Sequence, residues 1–264
     1  MKSLACKAGL EVSPDTGRIE IWRKAVPKMC AFKYFKRYTC TFPAPRRHGR
    51  LHSQHGARLS VAMSDDAAFN LQVETIRQKL ATVTPAPREA LANKSNAAAV
   101  LIPIFERGGE LHIVYIRRSD HVASHRGQVA FPGGRVDAVD ATLLDAALRE
   151  AHEEVGIHPS TVEVIGAFAT MQTTTSGIVV APFVGVIPSD TPLKPQLSEV
   201  AQIFDVPLTA LRDPNYRGDY EWKSDGPASR SSKFPAILYG GQTIWGLTLR
   251  ITLNLLELLD PAKI

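Results

Sequence analysis

At 264 residues, 44% of them hydrophobic, the chain is long enough for one full domain with a sizeable core and has the make-up of a globular protein. No apolar stretch approaches the roughly 18 residues that a membrane span needs, which excludes a helical membrane protein. The net charge of +5 is uneven: residues 1–62 hold 13 Lys or Arg against three acids, whereas the remainder holds 18 against 23 and is net −5, so the overall basicity describes the first part only.

Residues 1–62 show no sustained helical or strand period and end in a run rich in Pro, Arg, His and Gly, Pro43 to Arg50. They read as a disordered extension ahead of Met63-Ser-Asp-Asp-Ala-Ala-Phe69, which has the character of a start of the folded protein. The expected domains are therefore residues 1–62 and residues 63–264. Few acids and many arginines also suit an organelle-targeting segment or a nucleic-acid-binding arm. The preferred expectation is a cytoplasmic protein with no nucleic-acid or membrane partner. Cys6, Cys30 and Cys40 all lie in this part, without the spacing of a zinc site.

A helix is expected from Phe69 to about Leu80, followed by a proline-containing linker, Thr84 to Arg88. Ala97 to Ile104 reads as a buried strand, Gly108-Gly109 as a hairpin turn, and Leu111 to Ile116 as the partner strand. A second helix follows from about Ala141 to Val155. Leu144, Ala147, Leu148, Ala151 and Val155 form its apolar stripe, and Gly156 stands where a left-handed residue ends a helix. Val162 to Gly166, Ile178 to Ile187 and Ile203 to Val206 read as further strands, and Thr248 to Leu259 as the last helix. Helices and strands mixed in this order predict one α/β domain.

The second helix carries the chemistry. Residues three and four apart on a helix are neighbours, so Glu150 and Glu154 lie one above the other, Glu153 sits beside them, and Arg149 pairs with Glu153. Three carboxylates so close repel unless a divalent cation neutralises them, and all-oxygen ligands suit Mg²⁺ or Mn²⁺. A solvated charged face would account for any one of these glutamates taken singly. It does not account for the set placed behind the Phe131-Pro-Gly-Gly134 turn.

On Gly134, Arg149, Glu150, Glu153, Glu154, Gly156 and Ile157, this segment resembles the signature box of the Nudix hydrolase superfamily. It departs from the pattern at three places: Asp140 stands for the first Glu, Ala151 for a bulky aliphatic, and eight residues separate Asp140 from Arg149 where the pattern has seven. The resemblance implies a Nudix α/β/α sandwich with a mixed β-sheet. It also implies that Glu150, Glu153 and Glu154 hold the metal, that Arg149 orients Glu153, and that Glu153 or Glu199 acts as the base on water.

Ahead of the box, Arg118, Ser119, Gly127, Phe131, Pro132, Gly133 and Gly134 are similar to the signature of coenzyme A pyrophosphatases, with Ala123 where that signature has an arginine. The likeness continues through Ser176 to Gly185, Glu199 to Ala201 with Ile203 and Phe204, and Ile244 to Gly246. It implies substrate contacts at Arg118, Ser119, Arg126, Gly127, Phe131, Gly133 and Gly134. The implied reaction splits CoA or its thioesters into 3′,5′-ADP and (acyl-)4′-phosphopantetheine. The alternatives are another nucleoside diphosphate derivative, such as ADP-ribose or a dinucleotide, and a non-catalytic nucleotide sensor. The partner expected is a small molecule, and a homodimer is compatible with this reading. His112, His121, His125, His152 and His158 read as surface residues, and Trp245 as a buried aromatic near the last helix or a base-stacking residue.

Overall fold

The computed structural model describes residues 8–12, 19–23, 65–82, 96–122, 125–173, 177–223 and 231–259. The chain falls into two units, residues 1–59 and 60–264. In the first, β1 (Ala8–Val12) and β2 (Ile19–Arg23) pair antiparallel with Leu10 opposite Ile21. The sequence predicts no strand there, because each of these segments offers only two alternating β-formers, Leu10 and Val12 or Ile19 and Ile21. The expectation for the rest of residues 1–62 and for the Thr84 to Arg88 linker lies outside the described residues.

The second unit opens with α1 (Asp65–Leu80), then β3 (Ala97–Arg107) and β4 (Glu110–Arg118), β5 (Val129–Ala130), β6 (Gly133–Arg135) and α2 (Leu143–Val155). It continues with β7 (Glu163–Ala167), β8 (Met171–Gln172), β9 (Val179–Val186), β10 (Val200–Pro207) and α3 (Leu208–Arg212). It ends with β11 (Arg217–Lys223), β12 (Ser231–Tyr239), β13 (Gln242–Trp245) and α4 (Gly246–Leu259). The main sheet runs β10-β4-β3-β9-β7. Its β3–β9 pair is parallel and the others are antiparallel, so the sheet is mixed.

Alternation along two central strands sets the layers. Leu101 and Phe105 of β3 and Val114 and Ile116 of β4 pack with Ala151 and Val155 of α2. Their neighbours Ile102, Ile104, Ile113 and Tyr115 belong to the second core, with Ile76 of α1 and Leu255 of α4. Strands covered on both faces read as near-continuous apolar runs, and β3 and β4 are buried accordingly. The result is the α/β/α sandwich with a mixed sheet implied by the sequence.

Helix α2 starts at Leu143, two residues later than the expected start at about Ala141, because a capping box fixes the start. Thr142 Oγ1 accepts from Asp145 N, and Asp145 Oδ2 accepts from Thr142 N at 2.8 Å. At its other end Gly156 takes φ 77°. The loop leading into β10 then clasps the helix terminus, with Lys194 N donating to Val155 O and Gln196 N to Glu154 O, both at 2.9 Å.

A separate three-stranded sheet, β11-β12-β13, has no counterpart among the expected elements. Trp245 ends β13 and is not part of a helix. Its ring stacks on Tyr220 with centroids 4.2 Å apart. Among the described residues no helix is long and apolar enough to cross a membrane.

Candidate active site

Two consecutive glycines bring the backbone against two of the glutamates. Gly133, at φ 150°, pairs with Val100 of β3 so closely that a Cβ there would come within 2.4 Å of Ala99 O. Its N–H donates to Glu154 Oε2 at 2.9 Å. A Cβ on Gly134 would lie 2.5 Å from the Glu150 carboxyl carbon. Glu154 is only 2% exposed, although it is charged and sits on a surface helix. Its other oxygen, Oε1, faces Arg118 Nη1 at 3.4 Å.

Arg149 is the hub of the cluster. Its Nε and Nη2 donate to the two oxygens of buried Asp140, each at 2.9 Å, and its Nη1 reaches Glu150 Oε1 at 3.0 Å and Glu153 Oε2 at 3.1 Å. Nη2 also donates to Arg135 O at 3.2 Å. Asp140 is fixed in turn by the Asp137 N–H at 2.7 Å. The arginine thus reaches Glu153, but its main anchor is Asp140. The eight-residue spacing between Asp140 and Arg149 leaves that pairing intact.

Glu150, Glu153, Glu154, Gln196 and Glu199 line one cleft of about 230 Å³. Burial pushes the Glu154 carboxyl up to about 7, with repulsion from Glu150 and Glu199 adding to the rise and the Gly133 N–H and Arg118 opposing it. Burial also raises Glu150; Arg149 opposes that shift, and Glu153 and Glu199 reinforce it. The bidentate Asp140 holds Arg149 firmly in its charged form.

Among the described residues, no three acidic, histidine or cysteine side chains already converge as a cation shell. Their oxygens turn instead to Arg149, Arg118 and the Gly133 N–H. The donor set nevertheless fits a hard divalent cation, since it is all carboxylate and two of its members are held away from their preferred charge state.

The other residues singled out by the sequence are dispersed in their roles. Ser119 is buried; its N–H donates to Glu199 O at 2.8 Å and its Oγ accepts from His121 N at 3.2 Å, which ties β4 to the Glu199 segment. Phe131 is buried and stacks on Tyr115 with centroids 4.8 Å apart, so its ring belongs to the core. Gly127, at φ 64°, sits in the loop before β5. Arg126 is exposed and donates from Nε to Val122 O. Ala123 lies outside the described residues.

His112 is not a surface residue. Its side chain is 13% exposed and pairs with Asp205 at 2.6 Å, whereas His121, His125, His152 and His158 are exposed. Sequence reasoning missed Gln196, which carries no local signal because an irregular loop places it. It also undervalued Asp140, whose signal was the acid six residues after Gly134.

Residues 95–225 match the family model described as NUDIX domain. A relative from Yersinia enterocolitica, described as "Uncharacterized Nudix hydrolase NudL", is 41% identical over 174 residues, which is 66% of this chain and 86% of the relative. The chain belongs to the Nudix hydrolase family. A relative of the same description from Escherichia coli strain SMS-3-5 is 50% identical over 121 residues, 46% of this chain and 61% of the relative. Among solved structures, the Nudix domain of Shewanella oneidensis NrtR with ADP ribose is 19% identical over 47% of this chain and 84% of that one. Its TM-score is 0.35. Nudix membership implies a divalent metal cofactor, in agreement with the carboxylate cluster of α2.

Proposed function

We propose that this Nudix protein hydrolyses the pyrophosphate linkage of a nucleoside diphosphate derivative with the help of Mg²⁺ or Mn²⁺. One observation carries the reading: four carboxylates, Glu150, Glu153, Glu154 and Glu199, line a single cleft whose helix-borne carboxylates are braced by Arg149 and the Gly133 N–H. Glu150, Glu153 and Glu154 are the residues to hold the cation. When bound, it offsets charge developing on phosphorus and acidifies a bound water. Arg149 keeps Glu150 and Glu153 facing the cleft. Glu199 is better placed than Glu153 to take the water's proton, because Glu153 Oε2 is already held by Arg149, whereas Glu199 has no side-chain partner among the described residues.

The narrower reading is CoA or its thioesters, with 3′,5′-ADP and (acyl-)4′-phosphopantetheine as products. It is supported by the register of Arg118, Ser119, Gly127 and Phe131 to Gly134 ahead of the box. Ala123 favours a second reading, ADP-ribose or a dinucleotide, because alanine cannot grip a phosphate as arginine would. A panel of CoA, ADP-ribose and dinucleotides with Mg²⁺ or Mn²⁺, its products separated by chromatography, decides between them. Release of 3′,5′-ADP from CoA at the best relative efficiency supports the first, and turnover of ADP-ribose alone overturns it. In the same reading residues 63–264 hold the activity, and a chain beginning at Met63 keeps the full rate.

A further inference from the structure

Arg118 is the last residue of β4, and its backbone is pinned: its N–H donates to Gln128 O, and the next N–H, of Ser119, donates to Glu199 O. Its side chain is only 23% exposed, yet the guanidinium is poorly engaged. Nη1 lies 3.4 Å from Glu154 Oε1, a long contact for a charged pair, and Nε is shielded from solvent with no acceptor among the described residues. A planar fork with a buried idle donor is not in its best arrangement, since such forks favour two parallel contacts with one acidic group. Glu154, by contrast, is held by the backbone, because the Gly133 N–H binds its other oxygen at 2.9 Å. Of the two partners on this carboxylate, the arginine side chain is the one that can move.

From this geometry we infer that Arg118 is an exchangeable counter-cation. It occupies Glu154 while the site is free of metal, and it is released toward the substrate's diphosphate when a divalent cation takes that carboxylate. The inference rests on the cation site proposed above. A guanidinium and a divalent cation on the same carboxylate oxygen repel each other, and the other oxygen of Glu154 is taken by the Gly133 N–H, so contact with Arg118 and cation binding compete there. Arg118 thereby lowers cation affinity in the free protein. Once released, its fork meets an acceptor that engages Nε as well as Nη1, so cation loading and substrate grip become coupled. Arg118 is in this sense a positioning residue in the free protein and a substrate contact in the loaded one.

The test is a calorimetric titration of the full chain with Mn²⁺ in the absence of substrate. It is followed by a methylene-bridged nucleoside diphosphate, which cannot be split at that linkage, with and without Mn²⁺. Arg118→Gln is expected to bind Mn²⁺ about tenfold more tightly than wild type. Its affinity for the diphosphate probe is expected to gain less from Mn²⁺ than that of wild type. An equal or weaker Mn²⁺ affinity in a folded Arg118→Gln protein overturns the inference while leaving the cation site standing.

If that variant does not fold, Arg118→Lys decides. It is expected to keep Mn²⁺ affinity within about twofold of wild type, since the charge remains, and to lose probe affinity, since the fork is gone. A lysine variant that binds the probe like wild type overturns the inference. A wild-type chain that takes up no Mn²⁺, or a Glu150→Gln variant that takes it up unchanged, overturns the cation site itself and the inference with it.

Discussion

Arg149 grips Asp140 with two parallel hydrogen bonds, Nε to Oδ1 and Nη2 to Oδ2, both 2.9 Å long. This is the fork-to-carboxylate geometry in which arginine is strongest. The remaining Nη1 donors reach Glu150 and Glu153. One buried aspartate in the loop before α2 therefore sets, through one guanidinium, where two carboxylates of the cleft stand.

Replacing Asp140 by alanine leaves a partly buried arginine without its main partner. Breaking a buried ion pair from one side costs about 3 kcal/mol or more; because Arg149 is 24% exposed, the lower end applies. Asp140→Ala should lose roughly 2–3 kcal/mol in urea denaturation, and its turnover should drop even where it remains folded, because Glu150 and Glu153 lose their brace. Wild-type stability in this variant would show that the pair is incidental.

The two site glycines should fail in different ways. A Cβ at position 133 meets backbone, Ala99 O and Val100 Cα, at a φ of 150°, so Gly133→Ala must force β6 off β3. A loss of about 2 kcal/mol or more is expected. At Gly134 the obstruction is the end of a flexible side chain, Glu150, which can swing aside. Gly134→Ala should therefore stay within about 1 kcal/mol of wild type in stability and show weakened Mn²⁺ binding in calorimetry. Loss of fold in Gly134→Ala together with normal stability in Gly133→Ala would contradict this assignment.

The site was legible where its logic is local. Arg149, Glu150, Glu153 and Glu154 share a helix, and 3.6-residue periodicity alone places them together. Phe131 shows the opposite case: a motif letter records which residue is present but not which way it faces, and the ring turns into the core against Tyr115. Gln196 joins the cleft only because backbone bonds from residues 194 and 196 close over the end of α2, a tertiary event with no sequence period. The sheet of β11, β12 and β13 escaped for a related reason. Arg217 to Lys223 alternates charge with glycine and aromatics, and Pro235 interrupts the β12 pattern, so neither segment looks like a conventional apolar strand.

Glu199 and Glu153 can be separated by kinetics. If Glu199 takes the proton from water, Glu199→Gln should lower kcat by about 10²- to 10⁴-fold while Mn²⁺ affinity changes little. Glu153→Gln should weaken Mn²⁺ binding as well as rate. Single-turnover rates at saturating cation, set beside calorimetry on the same proteins, distinguish the two. A Glu199→Gln protein with an unchanged single-turnover rate would return the role to Glu153.

The raised pKa of Glu154 makes a prediction about stability without metal. Its carboxyl titrates near 7 in the folded protein against an ordinary value of 4.5. Below pH 4.5 the group is protonated whether folded or unfolded, and it imposes no penalty. Between 4.5 and 7 the unfolded chain ionises first and binds fewer protons than the folded one, so stability falls as pH rises; above 7 the penalty is complete. The ceiling is about 3 kcal/mol. Glu154→Gln removes the titration, so urea denaturation in EDTA from pH 4 to 9 should show the variant gaining on wild type through that window and staying ahead at pH 8. Adding Mn²⁺ at pH 8 should reverse the order, because the cation stabilises only the protein that binds it, and the variant should remain folded but inactive. Parallel pH curves for the two proteins would mean that Glu154 is not a carboxylate held against its charge, and full activity in the variant would remove it from the cation site.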